Sequence, residues 1–181
     1  MSSLSSLGID ITFPTLPFLS PAIEEDSKTS PIIRIPNPCN VLPTFPENLR
    51  PRSLDLSKLI KEVNDSKKKI LNLKEDWDGE GGKPYDFQTW KRAIDFILRT
   101  IFIGFYRFGY QIDPPEILPG PNENIDLYWK KRDFELLVNI PKENDKVGDF
   151  YGDNYDQLKI KGTFKPESQN LGIILWLISP K

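Results

Sequence analysis

The apolar residues of this chain change their spacing once, near Pro114-Pro115, and that change limits the folds the chain can adopt. Before the two prolines, apolar residues recur at the spacing of helix faces. After them, apolar and polar residues alternate as they do in half-buried strands. A helix repeats about every 3.6 residues and a strand every two, so one segment cannot satisfy both periods. The order therefore predicts helices first and an antiparallel sheet second, which is an α+β fold.

Two amphipathic helices are predicted before the prolines. The first begins near Ser53 or Asp55, either of which can cap it, and the second is capped by Asp86 and ends at Gly109 or at the prolines. The buried face of the first helix comprises Leu56, Leu59, Ile60, Val63 and Ile70. The buried face of the second comprises Trp90, Ala93, Ile94, Ile97, Leu98, Ile101 and Phe105.

Four strands are predicted after the prolines. Strand one and strand two form a hairpin that turns at Lys131-Arg132, strand three spans 147–151, and a turn at 152–154 leads into strand four. The inward residues of strands one, two and four are Ile125, Leu127, Trp129, Leu136, Val138, Ile140, Leu158, Ile160 and Phe164. The segment from Leu171 to Ile178 is either a fifth, buried strand or a short closing helix, because its period cannot distinguish them at that length.

The predicted helices and the predicted sheet each have one apolar face, so the simplest packing buries the two faces against each other. This gives a two-layer sandwich in which a helical hairpin packs on a four- to five-stranded antiparallel meander. The sandwich is predicted for residues 51–181. Trp90, Trp129 and Trp176 occupy apolar-face positions and are predicted to belong to its core.

Residues 1–50 form a proline-rich segment in which closely spaced prolines exclude a regular helix or an internal strand. The segment also carries apolar residues, as a segment that lies against a surface does. It is predicted either to wrap its own domain or to dock as an extended peptide on a partner's groove or sheet edge. The anchors for such docking are Phe13, Leu16, Phe18, Ile32, Ile33 and Ile35.

Composition excludes several classes of chemistry. The chain contains no histidine, which rules out Ser-His-Asp and Cys-His triads, HExxH metalloproteases and histidine-based nucleases within it. Its one cysteine, Cys39, excludes an intramolecular disulfide and fits a cytoplasmic location. A net charge of −2 makes nucleic acid an unfavourable ligand, even with basic runs at 67–69 and 130–132. No apolar run is long enough to span a membrane, and no cofactor is predicted.

The loop between the two helices carries a recognisable pattern, Trp77-Asp78-Gly79-Glu80-Gly81-Gly82 followed by Pro84. It resembles the W-D-G-x-G-[GAS] loop of short, functionally uncharacterised bacterial proteins. Further features of that group are similar to Pro114-Pro115, Tyr128-Trp129, Tyr151-Gly152-Asp153 and Gly162-Thr163-Phe164. The resemblance implies an accessory protein of a mobile element or defence system, and it supplies no catalytic residues.

The same loop holds the acidic residues Asp76, Asp78 and Glu80, which alternate along it. They match the first half of an EF-hand calcium loop, but Phe87 stands where the bidentate glutamate is needed. They also offer paired carboxylates for a carboxylate- or metal-dependent hydrolase. The structural interpretation predicts instead that Asp78 accepts backbone N–H groups, that the glycines supply unusual backbone conformations and that Trp77 packs beneath the hairpin.

Two functions of different classes follow from the sequence. The first is a non-enzymatic protein-interaction module, accessory or neutralising in the manner of an antitoxin or inhibitor, whose partner is another protein. The second is a hydrolase that uses Asp76, Asp78 and Glu80. The missing histidines and the apolar anchors of the proline-rich segment favour the first.

Overall fold

A computed structural model describes residues 53–155 and 158–179 of the chain. Along the chain, these residues form α1 (Ser57–Ile70), α2 (Phe87–Phe108), β1 (Glu116–Pro119), a short 3-10 turn (Pro121–Glu123), β2 (Ile125–Lys130), β3 (Glu135–Ile140), β4 (Gly148–Asp153), β5 (Lys159–Phe164) and α3 (Leu171–Ile178). The proline-rich segment 1–50 and all its apolar anchors lie outside the described residues, so its boundary with the domain remains a prediction.

The five strands form one antiparallel sheet in the order β1-β2-β3-β4-β5, which is a meander. Register places Val138 opposite Leu127 and Phe150, all on one face of the sheet. The next residues along, Leu137, Tyr128 and Tyr151, are opposite one another on the other face. Because successive side chains alternate between faces, the register fixes which residues are buried.

All the described helices lie on the same face of this sheet. In the described part of the chain, α1 lies against β1, and α2 lies against β2 and β3 and also contacts α3. The inward residues of β2 and β3 are completely or almost completely buried, whereas Leu137 on the other face is exposed. The predicted α+β class, with a helical hairpin and an antiparallel sheet, is confirmed. Trp90, Trp129 and Trp176 are all buried, as predicted.

The ends of the two long helices follow local chemistry. α2 begins after Asp86 and ends at Gly109, which adopts a left-handed conformation with φ of 73° and donates its N–H to the carbonyl of Phe105. Asp86 holds the cap position but forms no side-chain capping bond. α1 begins two residues later than the latest predicted start, yet Asp55 still contributes, because its Oδ1 accepts the N–H of Ser57 at 2.9 Å.

Three details of the predicted sheet were wrong. β1 is a separate strand that pairs with β2 through Ile117 and Leu127, and it supplies the fifth strand. Gly152 and Asp153 belong to β4 instead of a turn, since they pair with Ile160 and Lys159. Leu158 precedes β5 and is exposed, so it does not share the buried face with Phe164.

The segment 171–178 is a helix, which decides between the two predicted alternatives. The side chain of Asn170 caps this helix by accepting the N–H of Ile173 at 3.1 Å, which is the bond typical of a helix N-terminus. Ile173, Ile174 and Trp176 are buried while Leu175 is exposed, which is the pattern of a helix with one face inward. None of the described helices is long and apolar enough to cross a membrane.

Two arginines of α2 tie the helix to loops of the sheet. Arg92 donates to the carbonyls of Pro141 and Lys142 in the β3–β4 loop, and Arg99 donates to the carbonyl of Pro166 after β5. The two arginines are seven residues apart, so they lie along one side of the helix. They hold both loops at fixed positions relative to the helical layer.

Candidate functional site

The loop between α1 and α2 satisfies its carboxylates internally. Asp78 Oδ1 accepts the backbone N–H groups of Glu80 and Gly82, both at 2.9 Å, and Asp76 Oδ1 accepts that of Gly81 at 2.9 Å. The loop is closed by a further bond of 2.6 Å from the N–H of Asp76 to the carbonyl of Gly82. The predicted structural role of Asp78 therefore matches its contacts.

Glycine is required at three positions of this loop, for two different structural reasons. Gly79 and Gly81 adopt φ of 76° and 87°, a region that residues with a Cβ rarely enter. At Gly82, a Cβ would lie 2.6 Å from the indole Nε1 of Trp77 and 2.7 Å from Oδ2 of Asp78. The three glycines therefore allow the backbone of the loop to fold around the carboxylates of Asp76 and Asp78.

This geometry limits the chemistry of the loop. Consecutive N–H groups of such a loop can form an anion site, but those of Glu80, Gly81 and Gly82 already bind the loop's own carboxylates. The two backbone hydrogen bonds hold the pKa of Asp78 below its usual range, so it is a poor proton donor at neutral pH. Within the described residues, no group of acidic or cysteine side chains is arranged to hold a metal ion.

Trp77 does not pack beneath the helical hairpin, and that prediction was wrong. Its side chain is 37% exposed and contacts the ring of Tyr85, with the ring centroids 6.0 Å apart. Tyr85, not Trp77, is the aromatic residue that anchors the loop, because it is buried and donates its hydroxyl to the carbonyl of Gly120 at 2.5 Å. Burial and nearby carboxylates raise the pKa of Tyr85 to about 12, so it remains a donor.

A different surface has the character of a binding site. It lies on the sheet face that the helices leave open, and we call it the tyrosine face: Tyr128, Leu137 and Tyr151 in one row across β2, β3 and β4, with Tyr155 in the turn that follows. Leu137 is 38% exposed, Tyr151 40% and Tyr155 49%, and Tyr128 is half-buried. Aromatic side chains in a cross-strand row are close neighbours, so they present one continuous surface.

Two carboxylates fix the positions of the tyrosine rings. Oε2 of Glu135 accepts the hydroxyls of Tyr128 at 2.6 Å and Tyr155 at 3.3 Å. Oδ2 of Asp153 accepts the hydroxyl of Tyr151 at 3.0 Å. Glu135 and Asp153 pair directly across β3 and β4, so the three hydroxyls converge on one acidic pair.

The backbone of Tyr155 is held in an uncommon conformation. Its φ is 64°, in the left-handed region, which costs a non-glycine residue about 1 kcal/mol. Oδ1 of Asp153 accepts its N–H at 2.7 Å and stabilises this turn. The turn brings the side chain of Tyr155 over the sheet, where its hydroxyl reaches Glu135.

The acidic pair also sets the ionisation of the tyrosine face. The hydrogen bond to Glu135 raises the pKa of Tyr128 to about 12, and burial beside Glu135 raises the pKa of Tyr155. The backbone N–H of Tyr155 and the ammonium of Lys159 lower the pKa of Asp153. At neutral pH, Tyr128 and Tyr155 are therefore neutral while Asp153 carries its charge.

A depression of about 370 Å³ lies beside the β2–β3 turn, with Ile112, Trp129, Phe134 and Leu177 among its lining residues. Its carboxylate Asp113 is occupied, because it binds Lys131 at 2.5 Å and Lys58 at 2.8 Å. These two hydrogen bonds lower the pKa of Asp113. Asp113 is therefore engaged within the fold, and Asp133 is the second carboxylate that lines the depression.

Comparison of the chain with models of known protein families, with curated proteins and with solved structures found no match. The resemblance of the 77–84 loop to uncharacterised bacterial proteins accordingly remains a prediction.

The structure brings the predicted acidic residues together in one loop, and it also shows the tyrosine face, which was not predicted. Asp76, Asp78 and Glu80 share a loop, but Asp76 and Asp78 turn toward its backbone. The tyrosine face was not predicted, because its members come from β2, β3, β4 and the turn after β4, and only the strand register joins them. A signal was present, since Tyr128 and Leu137 alternate with buried residues at positions where a solvated strand usually carries charge.

Proposed function

We propose that this protein is a non-enzymatic protein-interaction module and that the tyrosine face is its binding surface. The observation that carries the proposal is the row of half-buried Tyr128 with exposed Leu137 and Tyr151, on a sheet face that none of the described helices covers. Tyrosine is enriched at the centres of protein interfaces because it offers a large apolar ring and a polar hydroxyl.

The hydrogen bonds of the tyrosine face support the proposal. A side chain that is already held in place loses less conformational entropy when it binds. Glu135 and Asp153 hold three tyrosine hydroxyls in the free protein, so much of this ordering is already present. The face is also rigid beneath the tyrosines, because Leu127, Val138 and the rest of the inward row are core residues.

Protein binding is favoured over the alternative, a hydrolase that uses Asp76, Asp78 and Glu80. The oxygens of the two aspartates accept backbone N–H groups, and all three residues lie on an exposed loop. Hydrolytic carboxylates normally face each other across a cleft. An accessory or neutralising role in a bacterial defence or mobile-element system rests on the loop resemblance and belongs to the proposal only as a prediction.

The proposal is tested by capture of partners from the native cell with the tagged, full-length chain. Leu137→Lys places a charge in the centre of the tyrosine face, and Leu175→Lys makes the same change at an exposed leucine of α3. We expect a partner that is retained by the wild type and by Leu175→Lys but lost from Leu137→Lys. Equal retention by all three proteins would refute the tyrosine face as the binding surface.

The proline-rich segment is tested separately in the same assay. Replacement of Ile32, Ile33 and Ile35 by serine removes three of its predicted anchors without shortening the chain. Loss of the partner from this variant would make the segment a second contact. Unchanged retention would mean that these three isoleucines are not needed for binding.

A further inference from the structure

We propose that the depression beside the β2–β3 turn is the docking site of the chain's own segment 47–52, with the side chain of Leu49 inserted into it. This surface differs from the tyrosine face, so the proposal does not depend on the proposed function. It is carried by the apolar floor of the depression, by the place where the described chain begins and by the residue pattern of the segment.

The floor of the depression is apolar. Ile112, Trp129 and Phe134 line it and are each 7% exposed or less. Leu177 of α3 lines it as well and is half-buried. The polar atom of Trp129 is engaged, because its indole N–H donates to the carbonyl of Asp113 at 2.9 Å. The occupant that this floor favours is therefore an apolar side chain, which gains free energy when it leaves water.

The described chain begins beside this depression. The side chain of Gln111, a lining residue, donates to the carbonyl of Asp55 at 2.9 Å and accepts the N–H of Asp55 at 3.2 Å. Farther along, Lys58 binds a second lining residue, Asp113, at 2.8 Å. The backbone thus enters α1 along the border of the depression, and residue 53 is the first that the structure describes.

The segment before residue 53 is long enough to reach the floor. An extended chain advances about 3.3 Å per residue, so the stretch from Leu49 to Asp55 spans up to about 20 Å. Asp55 is already in contact with Gln111, and Ile112 follows Gln111 directly in the lining. Leu49 can therefore enter the depression while Asp55 keeps both of its bonds to Gln111.

The sequence of the segment favours an extended strap with one apolar side. Pro51 biases Arg50 away from the helical region and toward an extended conformation. Side chains two positions apart in an extended chain point the same way. Leu49 and Pro51 then share one side, and Arg50 and Arg52 share the other. The apolar pair can face the depression while both arginines face water.

The division of the chain agrees with this assignment. The chain separates into two units, Met1–Pro46 and Glu47–Lys181, so the segment 47–52 belongs to the same unit as the sandwich. The sequence predicted the start of the domain at residue 51. Docking of Leu49 would move that start to about residue 47.

Charge does not select the occupant of the depression, because Lys131 and Arg132 are matched by Asp113 and Asp133 among the described lining residues. Two other apolar occupants are possible on chemical grounds, namely Pro180 after α3 and a side chain of a second copy. The two hydrogen bonds that hold Asp55 at the border favour the segment 47–52. The experiment distinguishes all three.

The test compares Leu49→Ser with Leu42→Ser in the full-length, isotopically labelled chain. Both substitutions remove a leucine that precedes α1, but only Leu49 lies in the docking segment. We expect Leu49→Ser to shift the resonances of the Trp129 indole and the Phe134 ring. It should also lower the folding equilibrium constant in urea about tenfold, because an apolar side chain returns to water. Leu42→Ser should do neither.

Two further measurements locate the contact directly. Nuclear Overhauser contacts are expected between the methyl groups of Leu49 and the rings of Trp129 and Phe134. In a Leu177→Ala background, the loss caused by Leu49→Ser should become smaller, since residues in contact are energetically coupled.

Several results would overturn the proposal. One is a Leu49→Ser protein with the spectrum and stability of the wild type. Another is a loss of stability without shifts at Trp129 and Phe134, which would place Leu49 elsewhere. Contacts of these rings with Pro180 would identify the end of the chain as the occupant. Shifts of the same resonances with protein concentration would identify a second copy.

Discussion

Asp126 and Asp78 are both aspartates, but their surroundings move their pKa values in opposite directions. Asp78 is exposed and accepts two backbone N–H groups, which stabilise its charged form. Asp126 is half-buried, and its burial raises its pKa; the nearby Asp149 adds to the shift, while a hydrogen bond of 2.6 Å from Asn139 opposes it. At the scale of single residues, the negative charge of Asp78 stabilises the folded state, whereas the negative charge of Asp126 destabilises it.

Asp126→Asn should raise the melting temperature at pH 7. Since the pKa of Asp126 in the folded protein is above its unfolded value of about 3.8, the folded protein binds the proton more tightly. Protonated Asp126 therefore contributes its full stabilisation below about pH 3.8, and this stabilisation is lost as the pH rises through the raised pKa of the folded protein. Asparagine is neutral throughout and keeps an oxygen for Asn139. Melting curves between pH 4 and pH 7 should show a gap from the wild type that widens with pH.

Asp149→Asn is the companion variant for that measurement. It removes the neighbouring charge that raises the pKa of Asp126, so it should stabilise the protein in the same direction and by less. A gap between Asp126→Asn and the wild type that widens toward acid would contradict the assignment of a raised pKa.

Asp78→Ala should lower the free energy of unfolding, because the carboxylate that holds the loop is lost. The backbone N–H groups of Glu80 and Gly82 lose their common acceptor in this variant. Glu80→Ala, which alters an exposed side chain in the same loop, should change stability by less than about 0.5 kcal/mol. Urea denaturation of the two variants tests the structural role of the loop, and equal stabilities would contradict it.

At the scale of elements, the two edges of the sheet are protected from strand pairing in different ways. The outer edge of β1 lies beside α1, where Oε1 of Glu62 accepts the N–H of Ile117 at 3.1 Å. A helix side chain thus takes the place of a neighbouring strand and protects the edge from pairing with another chain. β5 is the other edge of the sheet and carries Lys159 and Lys161 on its outward positions, which is a common means of discouraging strand pairing.

Glu62→Ala should destabilise the protein by about 1 to 2 kcal/mol, because the half-buried N–H of Ile117 loses its acceptor. Glu62→Gln keeps an oxygen at the same position and should be close to the wild type in stability. Urea denaturation measures the cost, and amide hydrogen exchange at Ile117 should be faster in Glu62→Ala only. Equal exchange in both variants would mean that Glu62 does not protect this edge.

The elements that sequence predicted well are those with a strong period and clear ends. α2 has a long apolar stripe, which was predicted, and it stops at Gly109, which was one of its two predicted ends. β1 has only four residues and ends in Pro119, which is too short to show an alternating pattern. α3 is apolar at every position, so its sequence contains no period that separates a helix from a strand. In the structure, the side chain of Asn170 caps this segment as a helix by accepting the N–H of Ile173.

At the scale of the whole molecule, the two-layer arrangement creates the candidate site. The helices cover one sheet face, so each strand carries a buried row and an open row, and the tyrosine face is the open one. Sequence alone predicted the layers because apolar periodicity is local. It missed the site because the convergence of Tyr128, Tyr151 and Tyr155 on Glu135 and Asp153 depends on the register of β2, β3 and β4. The loop that sequence singled out is explained by backbone geometry instead.

The two-layer arrangement predicts opposite outcomes for the same substitution at neighbouring positions of β3. Leu137→Lys lies on the open face and should change the free energy of unfolding by about 0.5 kcal/mol or less, as surface substitutions usually do. Val138→Lys buries an unpaired ammonium at a site with 0% exposure and should cost more than about 4 kcal/mol, which is most of the stability of a marginally stable domain.

Circular dichroism melts and the yield of soluble protein measure both variants. A stable Leu137→Lys that has lost its partner would show that the open row of the sheet binds without supporting the fold. If Leu137→Lys unfolds the protein as Val138→Lys does, that face is covered in the folded chain, and the tyrosine face is a packing surface instead of a binding surface. The pair of substitutions thus separates the two roles, because a shift of one residue along a strand exchanges one face for the other.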